Sequence, residues 1–144
     1  MSVDKKTILD ALQATRANTL VEHLGISFTD AGEGFVEATM PVDNRTKQVL
    51  GYVHGGASAA LAETVGSVGS WLLIDREKYY SVGTELSVSH LRSATSGLVK
   101  ARAEIVYLGK TSHVWDIKIT DERGKLTCTG RLTTRVLERT NLSK

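Results

Sequence analysis

The sequence predicts an α+β domain in which a curved antiparallel β-sheet wraps around one long central α-helix. Val53–Trp71 is rich in small apolar residues and begins with His-Gly-Gly, a pattern typical of a closely packed helix. After Asp75 the pattern changes to alternation of apolar and polar residues, with short turns between the runs. Such short connections allow only antiparallel neighbours, because a parallel crossover needs about a dozen residues.

Residues 1–25 are predicted to form an N-terminal helical segment. A first amphipathic helix begins at the capping signal Thr7–Asp10. Its apolar side chains are Ile8, Leu9 and Leu12. A second, shorter helix is expected between Asn18, a favourable N-cap, and Gly25, a favourable C-cap.

Alternation and turn residues predict the strands. Ile26–Thr29 and Phe35–Met40 flank the turn-rich sequence D-A-G-E-G at 30–34, and Pro41 ends the second strand. The strands after the central helix are Tyr80–Val88, Leu98–Tyr107, Val114–Thr120 and Leu126–Val136. The side chains that alternate onto one face, and are therefore expected in the core, are Val99, Ala101, Ala103 and Ile105, followed by Trp115, Ile117 and Ile119.

Composition limits the class of protein. With 144 residues, 41% of them hydrophobic, the chain is suited to one globular domain, 1–144, with 138–144 as a flexible tail. A net charge of +2 without a basic block argues against nucleic-acid binding. The single cysteine, Cys128, excludes an intramolecular disulfide and is expected to be a small buried side chain. Without a signal-peptide pattern or an uninterrupted apolar span, a cytoplasmic protein that does not cross a membrane is expected.

Other kinds of site have weak support. The sequence G-A-S-A-A at 56–60 differs in one residue from the nucleophile elbow G-x-S-x-G, and Ser58 is more simply a residue of a helix start. The histidines are scattered, and the sequence has no cysteine pair or dense carboxylate cluster for a metal. No glycine-rich phosphate loop follows a strand. We therefore expect neither a metal nor a cofactor.

The central helix carries one carboxylate, Glu63. A glutamate is rarely buried without a partner, because desolvating its charged form costs several kcal/mol. On a helical projection, one face is an apolar stripe of Leu61, Val65, Val68 and Leu72. The opposite face is small and polar and holds Ala59, Glu63, Gly66, Ser67 and Ser70. Small residues favour the close approach of a helix, a subunit or a ligand; the simpler interpretation is a partly exposed helix whose Glu63 faces water.

His54-Gly55-Gly56 begins this helix, where free amides can donate to an anion or a developing oxyanion. Glycine also permits close approach of a carbonyl group, although glycines are ordinary turn residues too. The helix between Gly55 and Glu63 separates them by roughly 12 Å, more than a glutamate side chain spans. Two antiparallel copies of the helix would bring one chain's Glu63 to the other chain's Gly55. If the two residues act together, the protein is an obligate dimer with active sites in its interface.

The sequence Q-V-L-G-Y-V-H-G-G-A-S-A-A-L-A-E-T-V-G-S at 48–67, with the order of elements, resembles the hotdog-fold acyl-CoA thioesterases. Within that family it is most similar to the subgroup of 1,4-dihydroxy-2-naphthoyl-CoA thioesterase and the enterobactin proofreading thioesterase. The resemblance extends over nearly the whole chain. Its other segments are E-A-T-M-P-V-D-N-R-T-K-Q at 37–48, V-G-T-E-L at 82–86, S-H-L-R-S at 89–93, Y-L-G-K at 107–110 and R-L-T-T at 131–134.

The resemblance implies catalytic roles for five residues. Glu63 would be the nucleophile or the general base at the thioester carbon. The Gly55 amide would polarise the thioester carbonyl, assisted by Gln48 and His54. Ser67, one helical turn beyond Glu63, would position the attacking water.

The resemblance also implies which residues hold the substrate. The nucleotide of CoA would lie against 89–93 and the loop after Tyr107. The implied residues are Gly83, His90, Leu91, Arg92, Ser93, Tyr107, Leu108, Gly109, Lys110, Thr111 and Ser112. The loop sequence K-T-S-H and the pair Val49 and Leu50 depart from the family pattern, so the acyl group stays open.

We therefore expect an enzyme that hydrolyses an acyl-CoA with an aromatic acyl group, as a homodimer that assembles further into a homotetramer. An aryl group on an acyl carrier protein is the alternative substrate. A non-catalytic acyl-CoA-binding module is the alternative from another class. The joint presence of Glu63, Gln48 and His54 argues against it, because a binder needs no carboxylate beside a thioester. The helix-start histidine of hotdog dehydratases occurs in a different context, which argues against that activity.

Overall fold

The computed structural model describes residues 3–142. The elements, in chain order, are α1 Lys5–Ala14, α2 Leu20–His23, β1 Ser27–Gly32, β2 Phe35–Pro41, α3 Gly55–Leu73, β3 Tyr79–His90, β4 Leu98–Leu108, β5 Ser112–Thr120, β6 Leu126–Glu138 and a 3-10 turn at Arg139–Asn141. The strands form one antiparallel sheet in the order β1-β2-β4-β5-β6-β3. Helix α3 packs against β2 to β6, which confirms the predicted sheet around a central helix.

Alternation along β4 and β5 places the predicted side chains in the core, except that Ile105 is only half-buried and packs against it. On β4, Val99, Ala101 and Ala103 are fully buried, and on β5 so are Trp115, Ile117 and Ile119. Cys128 on β6 is buried as predicted, and burial raises the pKa of its thiol. The core therefore lies between the concave face of the sheet and α3.

The sheet approaches α3 closely because the helix presents small residues to it. A Cβ atom on Gly66 would lie 2.5 Å from Leu132 Cδ2, and one on Gly69 would lie 2.5 Å from Trp115 Cη2. The buried residues of α3 are Ala57, Ser58, Leu61, Ala62, Val65, Gly66, Gly69 and Ser70. The helical projection was therefore wrong for Gly66 and Ser70, which face the sheet. The bulky side chains of the sheet pack against small residues of α3. The small size of a helix residue therefore did not indicate that it lies away from the core.

The N-terminal helices begin at other residues than predicted. Asp4 caps α1, because its carboxylate accepts a hydrogen bond from the Thr7 backbone N–H at 3.1 Å. Thr19 is the N-cap position of α2, whereas Asn18 has a φ of +61° and turns the chain before the helix. Gly25, with a φ of +72°, follows the end of α2 as predicted for a C-terminal glycine.

Strand boundaries differ from the predicted ones by a few residues. Strand β1 continues through Gly32, so only Glu33 and Gly34 form the hairpin turn, and Gly34 has a φ of +77°. At the C-terminus, β6 continues to Glu138. Residues 143 and 144 of the expected tail lie outside the described residues.

Strand β3 forms one edge of the sheet, and among residues 3–142 it pairs with β6 alone. Its register shifts between Gly83 and Glu85, which marks a bulge in the middle of the strand. The outer backbone groups of β3 are therefore open to pairing. No helix within 3–142 is long and apolar enough to span a membrane.

Candidate active site

The first turn of α3 leaves one amide available. The N–H of Gly56 donates to His54 Nδ1 at 2.8 Å, and the N–H groups of Ala57 and Ser58 donate to the His54 carbonyl oxygen. The Gly55 amide has no acceptor among the described residues. It therefore lies at the positive end of the helix, ready to donate to a ligand.

Gln48 is held beside this helix start by its own loop. Its backbone N–H donates to the Tyr52 carbonyl at 2.8 Å, and its side-chain oxygen accepts from the Leu50 N–H. The loop turns at Gly51, where φ is +87°. Because the side-chain oxygen already has a donor, the amide NH₂ is the group that Gln48 offers to a ligand.

The helix start and the predicted 90–93 segment lie together. An open cleft of about 310 Å³ is lined by Gln48, Tyr52, Val53, Gly55, Ser58, His90, Leu91, Arg92, Ser93 and Thr127. A Cβ atom on Gly55 would lie 2.9 Å from His90 Nε2, so glycine is what permits this approach. The backbone N–H groups of Leu91 and Arg92 donate to the Thr127 carbonyl, which fixes the segment against β6. Four of the cleft residues, Tyr52, Val53, Ser58 and Thr127, were not predicted.

Glu63 does not line this cleft. Its carboxylate stands against Gly83 on β3, where a Cβ atom would overlap Glu63 Oε1. No hydrogen-bond or ion-pair partner of the carboxylate is found within 3–142. Burial alone raises the pKa of this half-buried carboxyl.

Ser67 follows Glu63 by one turn and borders a second cavity. This cavity, of about 310 Å³, is lined by Leu12, Thr15, Ser67, Val68, Trp71 and Ser81. Apolar side chains and several hydroxyl groups thus meet one turn away from the Glu63 carboxylate. Except for Ser67, none of these residues was predicted for the site.

The second predicted binding segment, 107–112, lies near the other end of α3. Leu108, Gly109, Lys110 and Thr111 border a cavity of about 550 Å³ with Leu73, Ile74, Asp75, Tyr79, His113, Val136 and Glu138. Tyr107 is exposed, and the Ser112 hydroxyl donates to the Thr134 carbonyl at 3.2 Å. One chain therefore holds the predicted site residues in separate places: the cleft at the helix start, the middle of α3 beside β3, and the β4–β5 connection.

A buried polar cluster ties α3 to the sheet between these places. Trp115 Nε1 donates to Ser70 Oγ at 2.7 Å, and the same oxygen lies 2.7 Å from Thr134 Oγ1 and 3.0 Å from His113 Nδ1. Burial lowers the pKa of His113, which favours the neutral ring. The sequence held no signal for this cluster, because its partners on β5 and β6 are distant along the chain. Among residues 3–142 no group of three or more histidine, cysteine or carboxylate side chains is placed to hold a metal.

The chain matches known proteins over most of its length. Residues 50–128 match the family model of the thioesterase superfamily. The proofreading thioesterase EntH of Cronobacter turicensis is 51% identical over 129 residues, which cover 90% of this chain and 93% of that protein.

Solved structures share the fold. A mutant thioesterase of Pseudomonas aeruginosa matches with a TM-score of 0.89 at 42% identity, over 96% of both chains. A thioesterase of Staphylococcus aureus, solved as a glutamine-to-alanine variant, matches with a TM-score of 0.80 at 43% identity, over 81% of this chain and 97% of that one. A glutamate-to-alanine variant of the same protein matches with a TM-score of 0.82 at 42% identity, over 83% and 99%. The family match, the relatives and the antiparallel sheet around one helix agree: the chain belongs to the thioesterase superfamily, has the hotdog fold and is a thioester hydrolase.

Proposed function

We propose that this enzyme hydrolyses acyl-CoA thioesters with an aromatic acyl group, at active sites that two copies of the chain share. The observation that carries the proposal is the separation of two complementary groups within one chain. The free Gly55 amide opens into a cleft with Gln48 and His90, whereas the unpartnered Glu63 carboxylate stands beside β3. Each group lacks in its own chain the partner that thioester hydrolysis needs.

The edge strand β3 supports a symmetric dimer. Its outer side is unpaired, and Val82–Glu85, beside the Glu63 carboxylate, are exposed. If two chains pair along this edge about a two-fold axis, their β3 strands are antiparallel to each other. The two α3 helices behind these strands are then antiparallel as well. One copy's Glu63 then faces the helix start of the other. At the end of β4, the exposed Val106, Tyr107 and Leu108 offer an apolar surface for pairing such dimers into a homotetramer.

The chemistry follows from these groups. The Gly55 amide, helped by the Gln48 NH₂ group, donates to the thioester oxygen and stabilises the charge that develops on it. His54 supports this donor indirectly, because its ring accepts from Gly56 and fixes the first turn. The Glu63 carboxylate activates a water molecule held by Ser67, or attacks the thioester carbon itself. The carbon–sulfur bond then breaks, and the CoA sulfur leaves as a thiolate that takes up a proton. When Glu63 itself attacks, the acyl group stays on its carboxylate as an anhydride, which a water molecule then hydrolyses to the free acid and the restored carboxylate.

A relative supports treating Gln48 and Glu63 as a pair. In the Staphylococcus aureus protein, the substituted glutamine and the substituted glutamate are as many residues apart as Gln48 and Glu63 are here. Both residue types and their spacing therefore recur in a thioesterase of the same fold.

The cavity beside Ser67 favours an aromatic acyl group. Trp71, Val68 and Leu12 supply apolar and aromatic surface, and Ser81 and Thr15 supply hydroxyl groups. A lining that is mostly apolar with a few polar groups is typical of sites for small organic ligands. Such a lining suits an aromatic ring that carries polar substituents.

Arg92 favours CoA as the carrier of the acyl group. It borders both the cleft and an adjoining polar cavity of about 300 Å³ that also includes Arg123 and the carboxylates of Asp121 and Glu122. We propose that Arg92 and Arg123 of one chain and the 107–112 segment of the other chain hold the nucleotide and its phosphates, and that the enzyme works in the cytoplasm. An aryl group on a carrier protein is the second candidate, because the relatives named EntH are proofreading thioesterases.

Replacing Glu63 by glutamine tests the mechanism. Glu63→Gln keeps the size of the side chain but removes its charge, so kcat is expected to fall by about 10²–10⁴-fold, the range for a positioned base. Circular dichroism and acyl-CoA binding should change little. Glu33→Gln, at the exposed hairpin turn, is the matched control and should keep wild-type turnover. A Glu63→Gln variant that folds, binds and turns over within a few-fold of wild type would favour the non-catalytic binding module.

The acidic limb of the pH–rate profile gives a second readout of the same residue. Burial raises the pKa of Glu63, and the carboxylate is lost as the pH falls through that value. The decline of kcat/KM is therefore expected at a higher pH than an ordinary glutamate would give. A single turnover in ¹⁸O-labelled water then separates the two roles. Attack by Glu63 can leave unlabelled carboxylate oxygen in the product, whereas direct attack by water always adds one labelled oxygen.

A further inference from the structure

The backbone conformation at position 83 does not require glycine. Its φ lies outside the left-handed region, in contrast to Gly25, Gly34 and Gly51. Glycine inside a strand weakens it, because it contributes no side chain to packing and loses more conformational freedom on folding. A reason other than backbone geometry is therefore needed for glycine in the middle of β3.

The space above Gly83 is filled by the Glu63 carboxylate. A Cβ atom at Gly83 would overlap Glu63 Oε1 and would lie 3.0 Å from Glu63 Cδ. It would also lie 3.4 Å from Leu132 Cδ1. The carboxylate thus stands directly against the strand, where any side chain larger than hydrogen would displace it.

Leu132 lies beside the space above Gly83. It is fully buried, and its other methyl group, Cδ2, already lies against the backbone of α3 at Gly66. A carboxylate displaced from Gly83 therefore cannot enter the volume that Leu132 fills. The bulge between Gly83 and Glu85 lies at the same point of β3. Bulges are common next to active sites, where they re-aim side chains.

From these contacts we infer that Gly83 is a positioning residue for Glu63: its missing side chain leaves the space that places the carboxylate for the reaction. This inference rests on the proposed role of Glu63. It differs from the substrate contact that the family resemblance implies for Gly83, because a contact to the substrate acts on binding. A positioning residue acts on the chemical step and leaves ground-state binding nearly unchanged.

The kinetic test is Gly83→Ala. A displacement of about 1 Å can lower a rate by about 10²-fold, so kcat should fall by that order while KM changes less than about threefold. Asp10→Glu, which also adds one carbon at an exposed position but on α1, away from the proposed dimer edge, is the matched control and should leave both constants unchanged. A raised KM with an unchanged kcat would make Gly83 a substrate contact and overturn the inference.

A double-mutant cycle tests whether the effect passes through Glu63. Glu63→Asp shortens the side chain by one methylene group, which withdraws the carboxylate from Gly83 and lowers kcat by itself. In that background Gly83→Ala should add no further loss, because the clash is already relieved. Losses that multiply would overturn the inference.

The same cycle measured by Tm needs no catalytic activity. Gly83→Ala should lower the Tm of the wild-type chain but not of the Glu63→Ala chain, where the space is empty. An equal decrease in both backgrounds would overturn the inference. Retained turnover in Glu63→Gln would instead overturn the proposed role of Glu63 and, with it, the use of this position in the reaction. The Tm cycle would still show whether the missing side chain of Gly83 leaves the space that the carboxylate occupies, so the two failures are distinguishable.

Discussion

Mixed dimers test the shared active site most directly. One chain carries Glu63→Ala and the other carries Gln48→Ala, so that neither homodimer has a complete site. If each site takes Gln48 from one chain and Glu63 from the other, a mixed dimer has one intact site and one site that lacks both residues. Activity is therefore expected to return on mixing, although both parent proteins are nearly inactive.

The size of the recovery follows from symmetry. Random pairing of equal amounts makes about half of all dimers mixed, and one of the two sites in each is intact, so about a quarter of wild-type activity should return. Chains with different affinity tags, mixed under mild denaturant and then diluted, allow the mixed species to be purified. The purified species should have about half the activity of wild type per dimer.

Active sites contained within single chains predict the opposite result. In that case no chain of the mixed dimer has both Gln48 and Glu63, and the activity of the purified mixed species would stay at the parental level. That result would refute the inference drawn from the separation of Glu63 and Gly55. A mixture of Glu63→Ala with Glu63→Gln chains is the control, since none of its sites contains the carboxylate.

Two further predictions concern binding and stability. Arg92→Ala should raise KM for acyl-CoA with little change in kcat, because phosphate contacts exist in both the ground state and the transition state. Lys125→Ala is the control in the same steady-state assay. An unchanged KM in Arg92→Ala would contradict the phosphate role. Ser70→Ala leaves the Trp115 N–H without its acceptor in the core, so urea denaturation should show a loss of about 1–3 kcal/mol; a loss no larger than that of Ser87→Ala would contradict it.

The types and order of the elements were predictable because they depend on local pattern. Alternation in 98–107 and 114–120 correctly separated core from surface, and the short turns correctly indicated antiparallel pairing. The start of α1 was predicted about one turn too late. Asp4 is the N-cap because its side chain accepts a hydrogen bond from the Thr7 backbone N–H, a contact that the sequence alone does not show. Patterns thus specify elements better than their exact ends.

The buried face of α3 was only partly predictable. Leu61 and Val65 are buried as expected, but Val68 is only half-buried, and Gly66 and Ser70 face the sheet. Which residues of α3 are buried depends on the side chains of the sheet that face them. Trp115 and Leu132 are large, so the helix positions opposite them must be small. Complementarity of this kind involves residues far apart in the chain, so no local pattern contains it.

The arrangement of the candidate site was predictable only in part. The helix start at Gly55 and the segment around His90 line one cleft. The family resemblance implied that both act in the site but gave no distance between them. The place of Glu63 against Gly83 had no sequence signal, because it depends on the register of β3 with β6. The roles assigned to these residues stay predictions until the variants are measured.

Trp115 and Trp71 are the two tryptophans of the chain, and they occupy different surroundings. Trp115 is sealed in the core with its N–H bonded to Ser70, so its fluorescence should be blue-shifted and should change only when the domain unfolds. Trp71 borders the cavity beside Ser67, with the guanidinium of Arg76 4.2 Å from its ring centroid. An aromatic acyl group entering that cavity should quench it. If the acyl group binds there as proposed, Trp115 reports folding and Trp71 reports occupancy of the cavity, and Trp71→Phe assigns each fluorescence signal to its source.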